Sequence, residues 1–262
     1  MNTDKMLARK DGAVAHMIFN NPERHNAVSM EMWQAAETIL SDFNADADIR
    51  VIVLSGAGGK AFVSGADISK FEDERAGADA VSQYSEATAR AYSNLYDSPK
   101  PTIAMIRGYC IGGGLGLAAC CDLRFCTEDS RFGLPAARLG LGYSLSGIKR
   151  LVDVVGIATA KDICLSARRY DAAEARAMGL VHGILPDAEL DSHVGEYAMK
   201  IAANAPLTIA AMKKIFVELV KNPADADLDA CQVAVDRCFS SEDYAEGRRA
   251  FMEKREPQFK GR

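Results

Sequence analysis

Residues 61–68 read AFVSGADI and residues 108–122 read GYCIGGGLGLAACCD. Each stretch places small residues where a strand gives way to a loop and then to a helix, so backbone N–H groups there can lack an acceptor. Two such donors directed at one point form an oxyanion hole, which stabilises the negative oxygen of an enolate or a tetrahedral species. The candidate donors are the N–H groups of Ala66 and Gly113, 47 residues apart in the chain. A helix beginning after each stretch would add the positive end of its dipole.

Strand and helix patterns alternate on both sides of these stretches. Strands are predicted over residues 14–19, 50–55, 102–106 and 122–126, and helices over residues 29–43, 79–96 and 114–121. This alternation favours a parallel sheet flanked by helices. Beyond residue 145 the strand pattern fades, and helices are predicted over residues 145–154, 157–165, 171–178, 187–204, 206–220, 225–238 and 241–253. We therefore predict an α/β protein, with an α/β core over residues 1–200 and a helical oligomerisation region over residues 201–262.

Composition narrows the classes of protein further. The 262 residues are 48% hydrophobic and 26% charged, as in one globular domain of generous size. The net charge of −5 argues against a nucleic-acid partner, which would usually require a basic face. There is neither an apolar N-terminal run nor a stretch of membrane-spanning length, so we predict no membrane contact and a cytoplasmic location. The seven cysteines contain no C-x-x-C pair and are interpreted as free thiols.

Three further motifs have simpler explanations than a catalytic role. Gly114-x-Gly116-x-x-Ala119 partly fits a dinucleotide-binding pattern, but no acidic residue follows at the required interval, and close packing of a helix on a strand explains the glycines as well. The segment from Ser144 to Gly147 does not satisfy the G-x-S-x-G pattern of a nucleophilic serine. The histidines lack the spacing of metal ligands, so no metal site is predicted; they are His16, His25, His182 and His193.

Taken together, the motifs of this chain resemble those of the crotonase (enoyl-CoA hydratase/isomerase) superfamily over nearly the whole length. The matching segments are NPERHNA at 21–27, FVSGADI at 62–68, PKP at 99–101, residues 108–122, FGLP at 132–135, AAEA at 172–175, GLV at 179–181 and FMEKR at 251–255. The resemblance implies a crotonase-like ββα-superhelix core, a homotrimer or dimer of trimers, and an acyl-CoA substrate. Coenzyme A is then part of the substrate, and no separate cofactor is expected.

The resemblance also assigns candidate binding residues. The N–H groups of Ala66 and Gly113 would hold the thioester oxygen. The residues implied to lie along the CoA thioester are Arg24, Ser64, Ala66, Asp67, Ile68, Gly112, Gly113 and Pro135. Phe251 and Lys254 would reach the CoA of a neighbouring subunit.

Two departures from the family pattern bear on the reaction. Hydratases of this family carry a glutamate two residues after the triple glycine and another directly after the proline of the F-G-x-P segment. Here those positions are Gly116 and Ala136. Neither residue can move a proton, and each lost acid or base costs on the order of 10²–10⁴ in rate. Ordinary enoyl-CoA hydratase activity is therefore not expected.

A nearer resemblance is to methylmalonyl-CoA decarboxylase and its relatives, through LGLGYSLSGI at 139–148 and the tail from 240 to 255. Those enzymes have a histidine where this chain has Ala66. Decarboxylation forms the enolate without a base, so an oxyanion hole alone can serve it. Tyr143 would then orient the carboxylate or protonate the α-carbon, or it is simply an aromatic residue packed at a subunit contact. Glu72 and Glu74 are alternative carboxylates, although a solvated helix face is the better explanation for them. A catalytically silent acyl-CoA-binding protein is the second hypothesis.

Overall fold

The computed structural model describes residues 3–70 and 77–262. Its strands are β1 (Met6–Asp11), β2 (Val14–Phe19), β3 (Val51–Gly56), β4 (Ala61–Val63), β5 (Thr102–Ile106), β6 (Tyr109–Ile111), β7 (Leu123–Thr127), β8 (Arg131–Gly133), β9 (Arg169–Asp171) and β10 (Gly183–Leu185). The helices are α1 (Met30–Ala45), α2 (Ala78–Tyr96), α3 (Gly113–Cys120), α4 (Leu145–Ser166), α5 (Ala172–Ala177), α6 (Asp187–Ala202), α7 (Pro206–Leu219), α8 (Leu228–Phe239) and α9 (Glu242–Glu253). Short 3-10 helices span Pro22–Arg24, Ile68–Lys70 and Pro135–Leu139.

The strands form two sheets. The larger has the order β1-β2-β3-β5-β7-β10, and the smaller has the order β4-β6-β8-β9. Pairing is parallel from β2 to β10 and from β4 to β8, whereas β1 pairs antiparallel with β2 and β9 antiparallel with β8. Three times, a strand of the larger sheet is followed by a strand of the smaller sheet and then by a helix: β3-β4-α2, β5-β6-α3 and β7-β8-α4. The α/β class and the ββα repeat implied by the resemblance are confirmed.

The predicted parallel sheet is present in the larger sheet, apart from the antiparallel β1, but the prediction missed several strands. Its pattern overlooked the second sheet, because β4, β6, β8 and β9 have only three residues each, too few to show a period of two. It also placed no strand after residue 145, where β9 and β10 lie. The predicted helices are all present. In α4, Gly156 has the non-helical angles φ 76° and ψ 158°, so that element consists of the two predicted helical segments.

Helix starts explain one of the motifs. Ser144 is the N-cap of α4, and its hydroxyl accepts the N–H of Gly147 at 3.2 Å. A serine in this position satisfies one of the unpaired donors of the first turn. The serine pair of residues 144–147 therefore begins a helix, in agreement with its failure to match a nucleophile motif.

The core lies on both faces of the larger sheet. On one face α1, α2 and α3 bury side chains such as Trp33, Leu40 and Leu95; on the other, α6 buries Leu190 and Val194. All seven cysteines are free thiols. Packing on the first face places α2 against α3. As a result, side chains of α2 lie next to the triple glycine.

The C-terminal helices α7–α9 are joined to this core by a polar contact. Lys213 Nζ contacts Asp122 Oδ2 at 2.6 Å and donates to the Lys100 carbonyl at 2.8 Å. Large apolar side chains on these helices stay exposed: Met212, Phe216, Leu219, Leu228, Val233, Phe239, Phe251 and Met252. The helical C-terminal region is as predicted, whereas its role in oligomerisation and the boundary at residue 200 stay predictions. In the part of the chain that the structure describes, no helix combines the length and hydropathy needed to cross a membrane.

Candidate active site

The two stretches of small residues meet because their strands are neighbours. β4 and β6 pair in parallel, with Val63 beside Cys110. The carboxyl ends of parallel neighbours lie at the same edge of a sheet, so the loops that follow them come together. A Cβ atom added to Gly112 would lie 3.7 Å from Cα of Gly65. The separation of 47 residues in sequence therefore becomes contact in space.

The N–H groups of Ala66 and Gly113 have no acceptor among the described residues. Ala66 forms an isolated parallel bridge with Val28, in which the Val28 N–H donates to Gly65 O at 2.9 Å and the Asp67 N–H donates to Val28 O at 3.0 Å. This pattern leaves the Ala66 N–H unused. Gly113 is the first residue of α3, where the backbone N–H has no partner within the helix. Two free donors thus lie on adjoining loops, one of them at a helix N-terminus.

Close packing explains a third glycine of this segment. A Cβ atom on Gly114 would lie 2.0 Å from the carbonyl oxygen of Val63 in β4. The packing explanation of the glycine run therefore holds for Gly114, while the donor explanation applies to Gly113. The glycine run thus provides both a close contact with β4, at Gly114, and a free N–H donor, at Gly113.

A cavity of about 320 Å³ opens beside these donors. Its walls are formed by Trp33, Ser64, Gly65, Ala66, Tyr84, Ser85, Thr88, Ala89, Tyr92, Ile111, Gly112, Gly113, Pro135, Ala136, Leu139, Leu141, Gly142, Tyr143, Ser144, Ser146 and Arg150. Among these residues there is no carboxylate, and Arg150 is the one charged side chain. The residues described along the wall can donate hydrogen bonds and bury apolar groups, but none of them is a carboxylate that could act as a base.

Three tyrosines contribute their hydroxyl groups to the wall: Tyr84, Tyr92 and Tyr143. Tyr92 Oη donates to the Gly113 carbonyl at 2.9 Å, and Tyr84 Oη accepts from Trp33 Nε1 at 2.8 Å. Burial raises the pKa of Tyr143 to about 12 and raises the pKa of Tyr92 well above its ordinary value. The Tyr92 and Tyr143 phenols are therefore neutral donors at physiological pH.

Of the two positions where the hydratases carry a glutamate, one lies in the wall and the other lies against Tyr92, a wall residue. Ala136 lines the cavity and is buried. A Cβ atom on Gly116 would lie 2.6 Å from Tyr92 Oη, so the phenol takes the space that a side chain there would need. Both carboxylates are absent, and at position 116 the Tyr92 phenol occupies the space of the missing side chain.

Arg150 reaches the cavity from α4. Its Nη2 donates to Ser93 Oγ at 3.2 Å, and its guanidinium carbon lies 4.9 Å from the centre of the Tyr96 ring. No carboxylate lies within ion-pair distance of it among the described residues. Its positive charge is therefore not neutralised by a direct partner.

Five of the ten predicted binding residues line this cavity: Ser64, Ala66, Gly112, Gly113 and Pro135. The Ser64 N–H donates to the His25 carbonyl at 3.2 Å, and Ser64 Oγ lies 3.4 Å from the Arg24 carbonyl, so Arg24 borders the Ala66 loop. Pro135 lines the cavity, and Asp67 follows Ala66 directly. Of Ile68 only the backbone is described, and Glu72 and Glu74 lie outside the described residues.

Phe251 and Lys254 lie elsewhere in this chain. Phe251 is 82% exposed and lines a groove among the C-terminal helices, away from Ala66 and Gly113. Their assignment to the CoA of a neighbouring subunit stays a prediction.

Sequence reasoning missed Tyr84, Tyr92 and Arg150. A signal for the tyrosines was present, because Tyr84, Thr88 and Tyr92 are spaced at i, i+4 and i+8 and therefore share one face of α2. Such a face is more often part of an apolar core, which is why the pattern alone did not indicate a site.

Comparison with known proteins places this architecture in a family. The sequence pattern of the enoyl-CoA hydratase/isomerase family matches residues 9–262. The chain belongs to this family. It is 31% identical to a short-chain-enoyl-CoA hydratase of Clostridium acetobutylicum over the full length of both chains. It is 32% identical to a peroxisomal Delta(3,5)-Delta(2,4)-dienoyl-CoA isomerase of Arabidopsis thaliana, covering 95% of this chain and 93% of that one.

A solved structure gives the same result for the fold. An enoyl-CoA hydratase/carnithine racemase from Magnetospirillum magneticum superposes with a TM-score of 0.93 at 36% identity, covering 100% of this chain and 97% of that chain. The crotonase fold predicted from the resemblance is confirmed. These relatives carry the names of different reactions, so membership of the enoyl-CoA hydratase/isomerase family leaves the reaction of this chain to its own residues.

Proposed function

We propose that this family member is a CoA-thioester lyase that forms a thioester enolate by decarboxylating a malonyl-type acyl group. One observation carries the proposal: the cavity beside the free N–H groups of Ala66 and Gly113 has no carboxylate among its described residues. Hydration needs groups that move protons at the water and at the α-carbon. Decarboxylation needs neither to generate the enolate.

The oxyanion hole alone is sufficient to form the enolate. The bond between the α-carbon and the carboxylate breaks, its electron pair moves toward the thioester carbonyl, and carbon dioxide leaves. The resulting enolate oxygen accepts from the Ala66 and Gly113 N–H groups, which are fixed before the charge develops. The α-carbon then takes a proton, for which Tyr143 is the candidate donor because its phenol lines the cavity in neutral form.

Arg150 supports an anionic acyl group. It is the one charged side chain among the described residues of the cavity, and it has no direct carboxylate partner there. A guanidinium in this condition attracts a substrate carboxylate. The apolar part of the wall disfavours a localised negative charge relative to one spread over an enolate.

Two alternatives are kept because observations favour each. The names of the relatives favour a hydratase or isomerase that uses another acid and base. The loss of both glutamates favours an acyl-CoA-binding protein without catalysis. The proposed decarboxylase type depends on the cavity and on Tyr143, not on the names.

Assayed with methylmalonyl-CoA, ethylmalonyl-CoA and crotonyl-CoA, the protein is expected to release carbon dioxide from a malonyl-type thioester and to leave crotonyl-CoA unhydrated. The measurement is product formation by mass spectrometry. Rapid hydration of crotonyl-CoA would contradict the proposal and favour the first alternative. Turnover of none of the three, together with a rise in Tm on adding acyl-CoA, would favour the silent binder.

The pH dependence tests the role of Tyr143. Because burial raises its pKa to about 12, the proton-donating form persists below that pH, and we expect a rate that is flat from about pH 6 to about pH 10. A tenfold change within that range would show that another group titrates in the mechanism. Tyr143→Phe should lower kcat by roughly 10² or more if the phenol protonates the α-carbon. It should mainly raise KM if the phenol only orients the carboxylate.

We further propose that the CoA portion lies along Arg24, Ser64 and Asp67, and that the active form is a homotrimer or a dimer of trimers. The apolar side chains exposed on the C-terminal helices support the second point, because patches of this kind mark protein interfaces. Phe251, among them, would then reach a neighbouring site. Free thiols at all seven cysteines support a cytoplasmic location.

A further inference from the structure

Tyr92 is fixed in place by its neighbours. It extends from α2 with its ring edge-on to Trp33, at 5.4 Å between ring centres, and its hydroxyl donates to the Gly113 carbonyl at 2.9 Å. The side chain is almost fully buried. Packing and a hydrogen bond together therefore hold the phenol against the first turn of α3.

The ring lies in the space of a side chain at position 116. A Cβ atom on Gly116 would lie 2.6 Å from Tyr92 Oη, 3.0 Å from Cζ and 3.2 Å from Cε2. Cβ atoms essentially never lie within 3.0 Å of a non-bonded heavy atom, so one of the two residues would have to shift. Because the phenol is anchored at both its ring and its hydroxyl, it cannot move aside without losing those contacts.

We propose that Tyr92 determines which reaction this site can perform. The ring occupies the space that a side chain at position 116, including a carboxylate, would need in order to reach the cavity. Hydration is blocked by shape as well as by missing acids and bases, so restoring the carboxylates alone would not restore it. This role of Tyr92 extends the proposed function. It depends on the proposed function only in taking hydration as the reaction that the site excludes.

The steric half of the proposal is tested by stability alone. Gly116→Ala is expected to lower Tm by about 2–10 °C in the wild-type background, as overpacking does, and by much less in a Tyr92→Leu background. The control is Gly195→Ala in α6, where an added Cβ meets nothing within 4 Å. It should shift Tm equally in both backgrounds. Additive shifts for Gly116→Ala and Tyr92→Leu would overturn the proposal.

The reaction half is tested by a gain of activity on crotonyl-CoA. The triple variant Tyr92→Ala/Gly116→Glu/Ala136→Glu is expected to hydrate crotonyl-CoA at least about tenfold faster than Gly116→Glu/Ala136→Glu, by the acid–base contribution that becomes available. Thermal stabilisation by butyryl-CoA confirms that each variant is folded and binds thioester. Equal hydration rates in the two variants, whether high or undetectable, would overturn the reaction-determining role. Neither test uses a malonyl-type thioester, so failure of the decarboxylase proposal would leave both results interpretable.

Discussion

Gly113→Pro is expected to lower kcat/KM by about 10²–10³, the loss that follows removal of one donor from an oxyanion hole. Proline lacks the N–H that Gly113 presents to the cavity, and it is well tolerated at the first position of a helix, where Gly113 lies. Gly112 before it has φ 56° and ψ −114°, outside the right-handed helical region that a following proline disfavours. The substitution therefore removes a donor with little disturbance of α3.

Gly113→Ala is the matched control for this variant. It adds a side chain but keeps the N–H, and its Cβ would lie 3.4 Å from Tyr92 Oη and 3.6 Å from Trp33. We expect it to retain activity within about fivefold of wild type, since only a mild adjustment of a neighbour is needed. Both variants are compared on the thioester that the wild-type protein converts, after light scattering has shown the same oligomeric state. Full activity of folded Gly113→Pro would show that Ala66 and Gly113 do not form the hole.

Much of the fold is predictable because its long elements carry their own periodicity. β3 begins with the apolar run VIVL at residues 51–54, and each predicted helix appears within a few residues of its expected bounds. The second sheet is different, since strands such as β4 and β8 have three residues and owe their pairing to the strands beside them. Their existence follows from the family resemblance, not from local sequence.

Some features of the candidate site are likewise indicated by local sequence, whereas others depend on tertiary packing. Small residues after a strand indicate free N–H groups, and the sequence therefore indicates Ala66 and Gly113 as donors. The pairing of Tyr92 with Gly116 depends on how α2 packs on α3, and no local pattern encodes that distance. The charge of Arg150 is notable only once its surroundings are known to hold no carboxylate. For Phe251, the decisive contacts would involve another subunit.

Asn26 is the other position where a single change should have a large effect, this time on stability. Its side chain is fully buried, and Nδ2 donates to the carbonyls of Ala57 at 3.0 Å and Ala61 at 2.7 Å, while Oδ1 accepts from the Asn21 N–H at 2.8 Å. This residue ties the 21–27 loop to the strand that leads into the oxyanion hole. Asn26→Asp replaces the donating nitrogen with an oxygen that faces two carbonyls. We expect a loss of about 3–5 kcal/mol in the free energy of unfolding, the cost of an unpaired buried charge.

The pH dependence of that loss distinguishes charge from shape. Because burial disfavours the ionised form, the pKa of the new carboxyl is raised in the folded state above its unfolded value. Between its unfolded and folded pKa values, the carboxyl is therefore more protonated in the folded state than in the unfolded state. The loss in free energy of unfolding is then smallest below about pH 4 and grows as the pH rises through the folded pKa. Asn204→Asp is the control, since Asn204 is exposed and its Nδ2 donates only to Lys200 O at 3.2 Å. Chemical denaturation measured from below about pH 4 to neutral pH should show this pH-dependent loss of stability for Asn26→Asp. For the control it should show a change within about 0.5 kcal/mol. Equal stability of both variants at neutral pH would show that the buried amide is not what holds the 21–27 loop against the Ala66 segment.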